Sequence, residues 1–151
     1  MIGVGVIGFG YWGPNLVRNI AALPGADLRV VCDRESGRLE EVGRLYPTID
    51  LIDSVTELLG RGDIDAIILA TPADTHFELA RQVLASGRSV FVEKPLARST
   101  AECEQLIELA AQKDLVPMVG TPSNTMPPWS TSTTSSHDAT WGRSITSTHS
   151  G

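Results

Sequence analysis

The chain has 151 residues, of which 42% are hydrophobic and 20% charged, and its formal net charge is −6. This length suits one folded unit with a real core, and the acidic balance argues against a nucleic-acid or anionic-membrane partner, which needs clustered Lys and Arg. The longest apolar runs, such as "AIILA", fall well short of the roughly 20 residues of a membrane span, so a soluble protein with a small-molecule partner is expected.

From Met1 to Gly120 short β-branched runs alternate with segments of helical period, which predicts βαβ units around a parallel sheet. "IGVGVIG" reads as the first strand. The helix after it starts near Trp12, has Pro14 in its first turn, places Leu16, Val17, Ile20 and Ala21 on one face and stops at Pro24-Gly25. "DLRVVCD" is the second strand; Ser36 is the expected cap of a helix that turns Leu39 and Val42 inward. A short third strand spans about 49–52, and "SVTELLG" opens with a capping box of Ser54 and Glu57. "DAIILAT", apolar along its length, suits a fourth strand buried on both faces. Asp74 or Thr75 is expected to cap the next helix, with Phe77, Ala80, Val83 and Leu84 facing the sheet and Gly87 ending it. "SVFVE" is the fifth strand. Ser99 and Glu102 form a second capping box on a helix whose Cys103, Leu106, Ile107 and Ala110 share a face, and "LVPMVG" is the sixth strand. Six strands and five helices predict a doubly wound α/β domain of Rossmann type over residues 1–120.

The chemistry gathers where these strands end. "GFGYWG" places Gly8, Gly10 and Gly13 directly after the first strand and at the opening of the first helix. There the first glycine allows a tight turn, the second lets backbone approach a pyrophosphate, and the third lets helix and strand pack closely. The helix N-terminus adds free N–H groups and a partial positive charge. The reading is a dinucleotide site, against the simpler one of a glycine-rich turn with no ligand. Asp33 closes the second strand about 20 residues beyond Gly13, where an acidic side chain accepts from the adenosine ribose hydroxyls and repels a 2′-phosphate. NAD is therefore expected over NADP, with Arg34 softening the preference. "ATPADTH" and "EKP" end the fourth and fifth strands on the same ligand-binding edge. His76 alone reads more readily as a helix-start surface residue. Lys94 could bond a substrate hydroxyl or steady charge during hydride transfer, Pro95 fixing the backbone beside it, and an ordinary surface Lys-Glu pair is the competing reading. Cys32 and Cys103 are far apart without metal-ligand spacing, and the start of the chain has no basic leader. No metal site and a reduced, cytoplasmic setting are expected.

Taken together, "VIGFGYWGPNLVRN", "TPADTHFELA" and "VFVEKPLA" resemble, in order, three N-terminal signatures of the glucose-fructose oxidoreductase / inositol dehydrogenase (Gfo/Idh/MocA) family, over roughly the first 120 residues. The resemblance implies NAD(P)-dependent oxidation of a sugar, sugar-nucleotide or cyclitol hydroxyl to a ketone. It implies that Lys94 contacts substrate and that Thr71, Pro72 and His76 line the nicotinamide side; "GYWGPN" is similar to members acting on nucleotide-linked sugars. The candidate cofactor residues are thus Gly8, Phe9, Gly10, Tyr11, Trp12, Gly13, Asp33, Arg34, Thr71, Pro72, His76, Glu93, Lys94 and Pro95, with Lys94 as the catalytic candidate.

The segment Thr121–Gly151, Ser/Thr-rich and without periodicity, departs from the resemblance. Where the family continues into a second, catalytic domain with a stretch like "HTFEYNAAV", this chain has "TPSNTMPPW". One back-translation of that stretch, read two bases along, gives "TFEYNAAVVD". The expectation is a tail read out of frame after Gly120, the alternative being a Ser/Thr-rich disordered tail. On either reading it is expected to add nothing to a core and to leave the catalytic half out. Three outcomes follow: an oxidoreductase represented by its cofactor domain, a catalytically silent NAD-binding module, or an unstable truncated product with exposed apolar surface.

Overall fold

The structure is a computed structural model and describes residues 1–120, so the readings of Thr121–Gly151 lie outside the described residues. Six parallel strands form one sheet in the order β3-β2-β1-β4-β5-β6. They are β1 (Ile2–Ile7), β2 (Ala26–Cys32), β3 (Asp50–Ile52), β4 (Ala66–Leu69), β5 (Ser89–Glu93) and β6 (Pro117–Gly120). The chain starts in the middle of the sheet at β1, winds outward to β3, then returns to lay β4 along the other side of β1. Where the winding reverses, between β1 and β4, the connections leave in opposite directions and open a crevice at the carboxyl ends of the strands.

Five helices cover the sheet: α1 (Gly13–Ala21), α2 (Ser36–Leu45), α3 (Val55–Gly60), α4 (His76–Ala85) and α5 (Thr100–Gln112). Because side chains alternate along a strand, each strand feeds two cores. On one face Val4, Val6, Val31 and Ile68 meet Val17 and Ile20 of α1 and Val42 of α2. On the other, Val30, Ile67, Leu69, Val90 and Val92 meet Leu58 of α3, Val83 and Leu84 of α4, and Leu106 of α5. All four residues of β4 are buried, as its unbroken apolar run requires. Each fully buried Val or Leu in these layers contributes about 2 kcal/mol of transfer free energy.

Three expectations from periodicity and capping need correction. Ala21 and Ile107 are both exposed, Ile107 at 55%. Each lies about 100° around its helix from a buried neighbour, Ile20 or Leu106. In α5 the stripe of Cys103, Leu106 and Ala110 packs on the core, leaving Ile107 toward solvent. Ser36 is the first helical residue of α2 rather than its cap; Glu35 takes the extended N-cap conformation without a side-chain bond. Thr75 does stand at the N-cap of α4, but without a side-chain cap bond: residues Ala73–Thr75 form a 3-10 turn, and the Thr75 hydroxyl bonds to Thr71 Oγ1 and the Pro72 carbonyl instead.

The two capping boxes behave differently in detail. At α3 the Ser54 hydroxyl accepts from the Glu57 N–H at 3.4 Å. At α5 the Glu102 N–H donates to Ser99 Oγ at 3.2 Å, and Glu102 Oε2 accepts at 2.8 Å from the N–H of Arg98, the residue before the cap. Removing Ser99 Oγ strands one of the orphan donors of the longest helix. Ser99→Ala is expected to lower stability by about 1 kcal/mol, read from the urea midpoint at unchanged slope.

Candidate cofactor site

β1 ends at Ile7, and the next residue, Gly8, has φ +96°, a conformation that a side chain resists. Its N–H donates to the Cys32 carbonyl at the end of β2, so the turn begins as a continuation of the sheet ladder. An added Cβ at Gly8 would stand 2.7 Å from the Ala70 carbonyl oxygen, at the end of β4. The turn is thus wedged between the two strands that flank β1. Gly13 is buried against the Gly8 carbonyl and the Phe9 ring, and an added Cβ there would meet that oxygen at 2.9 Å. Gly10 faces the other way, with only the Arg38 guanidinium within 4 Å of a hypothetical Cβ.

The turn opens onto a cleft of about 830 Å³. Gly8, Gly10, Tyr11 and Trp12 line it from the β1 side, Asp33 and Arg34 from the end of β2, and Thr71 and Pro72 from the end of β4. Eight of the residues expected from sequence therefore meet at one place. The N-terminus of α1 stands there with no side-chain cap and no acidic residue in its first turn. Tyr11 and Trp12 pack edge to face, ring centroids 5.2 Å apart, and Tyr11 is 87% exposed at the lip.

Asp33 is the most constrained residue of the cleft. It is 7% exposed, and its Oδ2 accepts the Phe9 N–H at 2.6 Å, the shortest of its bonds. Oδ1 accepts the Glu35 N–H at 2.9 Å. One carboxylate thus ties the glycine turn to the start of α2. Arg38 reaches back from the first turn of α2, with its guanidinium 3.4 Å from Asp33 Oδ2 and 3.1 Å from Glu35 Oε1. Sequence reasoning singled out Arg34 and missed Arg38, which lines the same cleft. Arg34 precedes α2, which begins at Ser36, so no helical spacing links it to Arg38; the approach of α2 to Asp33 in the fold brings Arg38 to the cleft.

Six candidates stand away from the cleft lining. Phe9 is buried beneath the turn at 3% exposure, and Gly13 packs below it. His76, at 1%, is enclosed at the start of α4, its Nδ1 2.6 Å from the Pro95 carbonyl oxygen and its Nε2 2.8 Å from that of Thr71. It is a core residue rather than the surface residue that its lone position suggested. Glu93 is half-buried, and burial raises its carboxyl above the ordinary range, the nearby His76 partly opposing this. Lys94 and Pro95 are exposed beyond the end of β5.

Cys32 adjoins the cleft floor next to Asp33, and burial, with the neighbouring carboxylates, pushes its thiol up to about 11. The thiolate is the reactive form. Cys32 is therefore expected to stay unmodified by iodoacetamide at about pH 8 in the folded chain and to react in denaturant, as mass spectrometry of tryptic fragments would read.

Among the described residues no cluster of His, Cys, Asp and Glu could hold a metal ion, and no helix is long and apolar enough to cross a membrane. What the cleft offers is a glycine turn without side-chain bulk at Gly8 and Gly10, a helix start without a side-chain cap and an acidic residue just after β2, a set that suits a pyrophosphate and a ribose.

A family model described as an oxidoreductase family with an NAD-binding Rossmann fold (GFO_IDH_MocA) matches residues 2–121. The chain belongs to this family. A Glycosyl hydrolase family 109 protein of Shewanella sp. strain W3-18-1 is 34% identical, over 73% of this chain and 26% of that protein. Among solved structures, GenD2 from gentamicin A biosynthesis, in complex with NAD, superposes with a TM-score of 0.75 at 34% identity, over 79% of this chain and 34% of that one. KijD10, a 3-ketoreductase from Actinomadura kijaniata seen with TDP-benzene and NADP, also reaches 0.75, at 26% identity, over 79% of this chain and 38% of that one. The chain thus spans about a quarter to two fifths of the length of these relatives.

Proposed function

We propose that this chain is the cofactor-holding part of an NAD(P)-dependent oxidoreductase acting on a sugar, sugar nucleotide or cyclitol, and that by itself it binds cofactor with little or no turnover. The observation that carries the reading is the Asp33 carboxylate bonded to the Phe9 N–H of the glycine turn, at the mouth of one cleft. Gly8, Gly10 and the start of α1 would hold the pyrophosphate, Asp33 the adenosine ribose, and Thr71 and Pro72 the nicotinamide side. When bound, the nicotinamide supplies a hydride acceptor or donor. The acidic Asp33 favours NAD, while Arg38 beside it gives a 2′-phosphate something to pair with, so the preference is one of degree.

Lys94 is read as the residue that meets substrate, from the end of β5. Turnover also needs a base to take the hydroxyl proton, and Lys94 is a poor one unless its environment disfavours its charge. A cytoplasmic setting fits the same reading. The segment after Gly120, beyond which the family match extends one residue, is read as out of frame, and sequencing the DNA across the codons for Val119 to Pro122 tests that.

The direct test titrates the purified chain with NADH and follows cofactor fluorescence. Saturable binding with competition by ADP-ribose is the expected result, and no binding by either would sink the reading. Robust oxidation of a sugar substrate by the chain alone would defeat the expectation of little or no turnover.

A further inference from the structure

His76 poses a chemical problem that only one protonation state solves. Its ring is enclosed, at 1% exposure, and both nitrogens face backbone carbonyl oxygens within hydrogen-bond distance, Pro95 from Nδ1 and Thr71 from Nε2. A carbonyl oxygen only accepts. A neutral imidazole has one N–H and one lone pair, so one of the two contacts would set lone pair against lone pair. An unmet buried polar contact is costly, and repulsion at such distances adds to the cost. The imidazolium, with an N–H on each nitrogen, satisfies both. Glu93 on β5 lies near the ring: His76 partly opposes the rise that burial gives its carboxyl, and an opposite charge there would offset part of the cost of a buried cation. Lys94 is the cation nearest in sequence, but it is exposed.

The two carbonyls belong to different places in the fold. Thr71 follows β4 and lines the cleft, whereas Pro95 follows Lys94 beyond β5. We infer that His76 is a doubly protonated strap, a positioning residue that holds the Lys94-Pro95 turn against Thr71 at the end of β4 and so fixes the Thr71 wall of the cleft. The effect on cofactor rests on the proposed function; the protonation of the ring does not. The strap explains why a histidine occupies a fully buried first position of α4, where an apolar residue would otherwise complete the core. Gln and Asn donate from a single nitrogen and cannot span two acceptors on opposite sides of a ring.

The chain has three histidines. His137→Asn with His149→Asn leaves His76 alone, so nitrogen NMR on histidine-labelled protein reads this ring without assignment. At neutral pH both nitrogens are expected to carry a directly bonded, slowly exchanging proton; one bare nitrogen would overturn the strap. The second measurement compares NADH with ADP-ribose, which lacks the nicotinamide, on the full chain and on His76→Gln. The variant is expected to bind NADH about fivefold more weakly or worse and ADP-ribose unchanged within about twofold, the size of effect that one lost charged hydrogen bond allows. Equal loss for both ligands would mark general damage and overturn the positioning role. If the unaltered chain binds neither ligand, the cofactor reading fails, and the nitrogen spectrum still decides the strap.

Discussion

Replacing Gly8 with alanine is expected to cost about 3 kcal/mol of stability and to weaken NADH binding by at least about tenfold. Two terms add. The backbone at φ +96° is strained for any residue with a side chain, and the new Cβ would press on the Ala70 carbonyl at 2.7 Å and on Thr71 Cγ2 at 3.0 Å. Neither neighbour gives way without moving the end of β4, since the Ala70 N–H is itself bonded to the Ile7 carbonyl. The chain must therefore shift the turn, and the turn lines the cleft. Gly25→Ala is the control, because Gly25 has nearly the same φ, +92°, with nothing within 4 Å of an added Cβ. It should lose about 1 kcal/mol from backbone strain alone and leave NADH affinity unchanged. Urea midpoints and NADH titrations on both variants check the pair. A Gly8→Ala chain that binds like the original would show that the turn does not hold cofactor.

The same contrast explains how much of the site could be read in the sequence. The glycines were legible because their spacing, directly after an apolar β-branched run, implies a strand that breaks into a helix, and only one fold class places a ligand there. "ATPADTH" falls on the ligand edge because it ends strand four, but Thr71 and Pro72 themselves are singled out only by the family resemblance. What did not follow was which side chains the crevice would use and which the core would consume. His76 is an example. A lone polar residue at a helix start reads as exposed, and nothing local reveals that the Pro95 carbonyl, 19 residues on, needs a donor. Arg38 is the converse. Its distance from Asp33 in sequence is one turn and a half of helix, but its use depends on α2 leaving β2 at an angle that aims the guanidinium back across the carboxylate. The exposed Ile107 shows the limit of periodicity itself, since a stripe defines a helix face only to within about one residue on either side.

The second large effect is at Asp33, where one side chain has two tasks that a single substitution can separate. An ionised carboxylate offers about four acceptor positions. The Phe9 N–H, the Glu35 N–H and the Arg38 guanidinium occupy three of them. A ribose diol therefore finds one position open, on Oδ1, and gains a second only if Arg38 swings away from Oδ2, where its 3.4 Å contact is the weakest of the three. Asp33→Ala leaves two N–H groups without their acceptor and is expected to cost about 2–3 kcal/mol of stability, with NADH binding at least about tenfold weaker. Asp33→Asn should not rescue the stability, because its amide nitrogen would oppose one of the same N–H donors. The change in cofactor preference runs the other way. Removing the carboxylate abolishes its repulsion of a 2′-phosphate and frees Arg38 to pair with one, so the ratio of NADPH to NADH affinity should rise about tenfold or more in Asp33→Ala. Adding Arg38→Ala to that variant should return the ratio toward its starting value while leaving NADH binding little altered. Titrations of the three chains with both reduced cofactors decide it: a ratio that does not move with Asp33 would separate the carboxylate from the ribose, and a ratio that ignores Arg38 would leave Arg34 as the residue that meets the phosphate.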